Sequence, residues 1–68
     1  MLQTVLFPKS KFSVHDASMW LTQHKYYSGK VDSGKDYWRF RQRTPHGGSY
    51  YTVTLPSGVE MVYEKSVF

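Results

Sequence analysis

The sequence predicts a small α+β domain in which one amphipathic helix packs on one face of a small antiparallel sheet, in the order β-α-β-β-β. Three features carry that expectation: an apolar stripe at helical spacing from Val14 to His24, an alternating stretch from Tyr37 to Arg43, and a Pro56-Ser57-Gly58 turn between two further alternating runs. The 68 residues form a single domain, 1–68, because a chain this short buries only about 60% of its unfolded surface and has no room for a second core.

Leu2 to Phe7 alternates weakly and holds β-branched Thr4 and Val5, so a short first strand is expected before Pro8 ends it. Ser13-Val14-His15-Asp16 reads as a helix start, with Ser13 as N-cap and Asp16 placed where a carboxylate suits the helix dipole. Val14, Ala17, Leu21 and His24 then recur on one face with Trp20 at its edge, which predicts about three helical turns. The helix should stop near Lys25, since Tyr26-Tyr27 are weaker helix formers and Ser28-Gly29 is a C-terminal signal.

Lys30 to Lys35 reads as a loop, and Tyr37 to Arg43 as a strand. Trp38 and Phe40 face the core in that strand, where Trp20 and Leu21 are expected to meet them; Tyr37, Arg39, Arg41 and Arg43 face outward. Thr44 to Ser49 has loop composition, with His46 exposed in it. Tyr50–Leu55 and Val59–Glu64 form a hairpin, with Gly58 as the left-handed residue that closes a three-residue turn. That turn pairs Leu55 with Val59, Val53 with Met61 and Tyr51 with Tyr63, placing these six side chains on one face, read here as core.

Composition narrows the function. The absence of cysteine removes both disulfides and thiolate zinc sites, the usual staples of small secreted domains, and points to an intracellular protein rather than a secreted one. The apolar run Val5-Leu6-Phe7 is far too short for a signal segment or a membrane span, so no membrane partner is expected. The net charge of +4 favours anionic partners, and it is uneven: eight basic and three acidic residues lie between Lys9 and Arg43, whereas Lys65 alone faces Glu60 and Glu64 beyond Thr44.

No catalytic residues, metal site or cofactor are expected. Gly29 to Lys35 has the spacing of a phosphate-cradling loop, but Asp36 stands where Ser or Thr should hold magnesium, and the segment joins a helix to a strand rather than a strand to a helix. His15, His24 and His46 match no zinc spacing, and His24 reads as a boundary histidine. Asp32 and Asp36 read as a solvated pair, and no nucleophile elbow is present. The domain is therefore expected to act by binding.

The outward row Tyr37, Arg39, Arg41, Arg43 is the candidate site, because period-2 spacing sets the three guanidiniums on one sheet face over roughly 13 Å. Tyr50 is expected on the same face. Arginine beside exposed tyrosine suits single-stranded nucleic acid, with charge for the phosphates and ring faces for the bases. The bland alternative is that these arginines solvate an open face and pair across strands with Glu60 and Glu64, which contributes only about 0–1 kcal/mol per pair. A further alternative is that the arginines pair with carboxylates or phosphates of a protein partner.

Tyr37-Trp38-Arg39-Phe40-Arg41-Gln42-Arg43, then Pro45, Gly48-Ser49-Tyr50 and Gly58-Val59 with Val62, resembles a short domain found in reading frames of tailed phages and large DNA viruses, marked by an aromatic followed by Arg-Phe-Arg-Gln. The resemblance covers the C-terminal half well and the first strand and helix more loosely. It implies viral origin, an infected-cell or virion location, and the alternative of a virion or assembly module that meets a viral or host protein, or a second copy of itself, or inhibits a host protein; it supplies no catalytic residue. The sequence departs from that pattern at Tyr51, where the family carries arginine; on a core face this points to a shifted register or a bulge near Gly48.

Overall fold

A computed structural model describes residues 1–44 and 47–65. The expected exposure of His46 lies outside the described residues. The elements are β1 (Leu2–Pro8), α1 (Val14–Gln23), β2 (Asp32–Ser33), β3 (Tyr37–Arg41), β4 (Tyr50–Thr54) and β5 (Glu60–Glu64). The strands form one antiparallel sheet in the order β2-β3-β1-β5-β4. The helix lies against one face, as the pattern predicts.

β1 takes the centre because it carries apolar side chains on both faces. Val5 and Phe7 are fully buried under the helix, while Leu6 is half-buried on the opposite, open face. Val5 opposes both Phe40 of β3 and Met61 of β5. Phe7 is the aromatic hub: its ring meets Phe12, Trp20 and Phe40 edge-on at 5.3, 5.5 and 5.6 Å.

Trp20 makes its ring contact with the sheet through Phe7 rather than through Trp38. Trp38 instead donates its indole N–H to the Phe12 carbonyl (3.0 Å), pinning the connector before the helix, and Lys9 lies over its ring at 4.4 Å.

Ser13 caps the helix as predicted, its hydroxyl accepting from the Asp16 N–H at 3.0 Å. At the other end the helix stops at Gln23, two residues before Lys25. Tyr26 N–H bonds to the Leu21 carbonyl (2.8 Å) and Lys25 N–H to the Thr22 carbonyl (3.1 Å), a Schellman closure with Lys25 in the left-handed region at φ 63°. His24, expected on the apolar face, is exposed and stacks on Trp20 at 3.8 Å. A side chain at a left-handed position carries a steric cost that glycine avoids. Lys25→Gly should therefore stabilise the domain by about 0.5–1 kcal/mol and raise the melting temperature by several degrees in a thermal scan.

The predicted hairpin register is observed: Tyr51 opposes Tyr63 and Val53 opposes Met61, while Leu55 N–H bonds to the Val59 carbonyl at 2.8 Å. Gly58 occupies the left-handed position, at φ 94°. The burial expected for this face holds only in part. Val59 and Met61 are buried, but Tyr51 and Val53 are 43% and 42% exposed. The reason is reach. The buried cluster that α1 completes draws on β1, β3, β5 and the segment just before β5, with no residue from β4. β4 lies beyond it.

That placement also accounts for Tyr51, where an arginine would be solvated without any shift of register. β4 and β5 pair through five consecutive residues; the sheet's irregularity falls in β1, between Leu2 and Thr4. Gly48 is required for a different reason, since a Cβ there would come within 2.6 Å of the Lys65 carbonyl. A two-residue strand, β2, appears in what reads as loop, with Asp32 opposite Arg39 and Ser33 opposite Trp38.

Candidate nucleic-acid interface

The face of the sheet away from the helix is open, and cross-strand register dictates what it displays. One row runs Arg41, Thr4, Val62, Thr52, and the next Asp32, Arg39, Leu6, Glu60, Thr54. Between them lies a shallow trough of about 430 Å³ lined by Gln3, Thr4, Leu6, Asp32, Arg39, Arg41, Tyr50 and Val62. Arg39 and Arg41 form one wall and Tyr50, three strands away, forms the other. At roughly 4.8 Å per strand the separation is about 14 Å.

The structure thus brings Arg39, Arg41 and Tyr50 to one concavity. Arg39 and Arg41 are exposed, and among the described residues neither forms an ion pair. The expected cross-strand partners are otherwise engaged. Glu60 acts on Tyr37, raising its pKa, and Glu64 is buried with its Oε2 accepting from the Gly48 N–H at 2.9 Å. Asp32 is the acidic group nearest in register to the row, directly opposite Arg39.

Arg43 does not continue the row. β3 ends at Arg41, and beyond it the chain bends, with Gln42 N–H and Arg43 N–H both directed at the Gln3 carbonyl (2.7 and 3.3 Å). Gln3 in return donates its side-chain amide to the Arg43 carbonyl at 3.0 Å. Arg43 instead borders a second depression with Met1, Leu2, Lys25, Tyr26, Tyr27 and Gln42.

Gln42, which follows Arg41 at the end of β3, is a backbone clamp: its side-chain amide accepts from the Tyr27 N–H (2.8 Å) and donates to the Tyr27 carbonyl (2.7 Å), tying the post-helix segment to the end of β3.

Tyr37 is half-buried and does not line the trough. Its pKa is raised above the ordinary 10.0, first by hydrogen bonding to Glu60, then by the Glu60 charge, with burial and the Asp36 charge adding to it. A raised tyrosine pKa means that the contribution to stability is complete below the unfolded value near 10 and is lost as pH rises through the folded value. Glu60→Gln should shift the Tyr37 phenolate titration down towards 10, followed as the absorbance difference between each protein and its Tyr37→Phe counterpart. An unmoved titration would remove Glu60 as the cause.

The trough floor, Thr4, Leu6 and Val62, was not singled out by sequence. The signal lies in the second phase of the β1 alternation, whose half-buried members face away from the helix. Among the described residues there is no cluster of three or more metal-ligating side chains, and no helix is long and apolar enough to cross a membrane. No protein-family model matches the sequence, and neither curated proteins nor solved structures yield a match.

Proposed function

We propose that the domain is a small viral binding protein that holds single-stranded nucleic acid across the open face of its sheet. The observation that supports this most is the convergence on one trough of Tyr50 with two exposed arginines, Arg39 and Arg41, that form no ion pair among the described residues. Guanidiniums on one wall would take the phosphate backbone while an exposed phenol ring on the other would take a base face. Thr4, Thr52 and Thr54 add hydroxyls that can bond to sugar or base edges. Arg43 and Tyr37 are left out of this contact set, the first by the bend after β3 and the second because it does not line the trough.

Asp32 sets the balance within the site. Lying opposite Arg39, it weakens the field there, so Arg41 carries the larger electrostatic share. Titration of a short fluorescent single strand at low salt tests the proposal. Saturable binding that weakens as salt rises is expected, and its absence at about 50 mM salt would overturn the reading.

A further inference from the structure

We infer that the outer edge of β4 is a pairing surface for a second copy of this chain, joined antiparallel about a two-fold axis at Thr52. The two edges of the sheet are built differently. β2 is two residues long, contains Asp32, and is flanked by Lys30, Lys35 and Asp36, the short and charged form that blocks strand addition. β4 has none of this protection. Its five residues Tyr50–Thr54 are all exposed, rich in β-branched and aromatic side chains, and no charged residue occurs from Gly47 to Val59.

The hairpin fixes which backbone groups point outward. Leu55 N–H bonds to Val59 and Lys65 N–H to the Ser49 carbonyl, so Ser49, Tyr51, Val53 and Leu55 bond towards β5. Alternation then leaves the N–H and C=O of Tyr50, Thr52 and Thr54 directed away from the sheet.

A two-fold axis at Thr52 pairs Thr52 with its own counterpart and Tyr50 with Thr54 of the second copy, so every outward group finds a complement. On the helix side the same register sets Tyr51 against Val53 of the second copy, covering the two apolar residues that α1 fails to reach. Threonine pairs and aromatic pairs with β-branched residues are both favourable across strands. The match is self-complementary, which favours a copy of this chain over an unrelated strand. It also brings two cationic chains together along a strand that bears no charge. Arg39 and Arg41 stay free, three strands from the axis.

An edge of five residues a side lies at the small end of interfaces, so the dimer should exchange reversibly with monomer. The chain has no cysteine, and single introduced thiols therefore report the register cleanly. Thr52→Cys should form a reducible covalent dimer under mild oxidation, because paired Cα atoms at about 5.5 Å lie within the disulfide range of about 4.4–6.8 Å. Thr54→Cys should not, its counterparts being about 13 Å apart along the strand. Thr52→Lys should abolish concentration-dependent dimer in light scattering while leaving the melting temperature unchanged at dilutions where the wild type is monomeric. A wild-type mass that stays monomeric up to the solubility limit, or equal cross-linking by Thr52→Cys and Thr54→Cys, would overturn the inference.

Discussion

Phe7→Ala is expected to leave the domain largely unfolded at room temperature. Phe7 is fully buried and its ring contacts three other aromatics, one from the connector, one from the helix and one from β3. Truncation of a buried phenylalanine costs about 3–5 kcal/mol, and a domain of this length has only about 3–10 kcal/mol in all. Leu21→Ala, also fully buried, should act in the same direction at about 2–5 kcal/mol. Val53→Asp supplies the contrast: on a core face it would unfold the protein, but at 42% exposure on an uncovered edge strand it should stay within about 0.5 kcal/mol of wild type. Urea titrations of these variants decide the matter. A Phe7→Ala protein that melts cooperatively near the wild-type temperature, or a Val53→Asp protein that does not fold, would mean that the helix covers a different part of the sheet.

The second large effect is electrostatic. Replacing both Arg39 and Arg41 with glutamine should flatten the dependence of log affinity on log salt by about 1.4, the contribution of two phosphate contacts to a single strand. Melting temperature should barely change, since both side chains are exposed and neither forms an ion pair among the described residues. Arg41→Gln alone should flatten the slope more than Arg39→Gln, because Asp32 already offsets part of the Arg39 charge. Tyr50→Ala should weaken binding with the slope intact, as stacking releases no counterions. Arg43→Gln should leave the slope near its wild-type value, since Arg43 lies past the bend. Equal slope changes from all three arginines would restore a continuous row and contradict the observed bend.

The parts of the fold legible in sequence are those governed by local chemistry. Ser13 and Asp16 mark the helix start, and Pro56 to Gly58 sets the hairpin register, because both depend on a few consecutive residues. What escaped depends on distant partners. The two-residue strand β2 exists only because β3 is there to pair with it. Lys25 occupies a position that favours glycine because Leu21 and Tyr26 close the helix end around it. Alternation alone put Tyr51 and Val53 in the core, whereas strand order makes β4 an edge beyond the helix.

The site divides along the same line. Arg39, Arg41 and Tyr50 share a face because period-2 spacing and hairpin register suffice to place them. Arg43 was lost because the Gln3 carbonyl turns the chain after Arg41, a contact between residues 40 positions apart. Glu60 does not reach Arg39, for Leu6 of the central strand stands between them in the cross-strand row.

The most direct measurement is an NMR titration of the labelled protein with a short single-stranded oligonucleotide at low salt. Binding across the open face predicts progressive shifts at the amides of Thr4, Leu6, Arg39, Arg41, Tyr50 and Val62, with Ala17 and Leu21 on the helix unmoved. No shifts at all, or shifts confined to the helix and the segment after it, would contradict the proposal that the open sheet face holds nucleic acid.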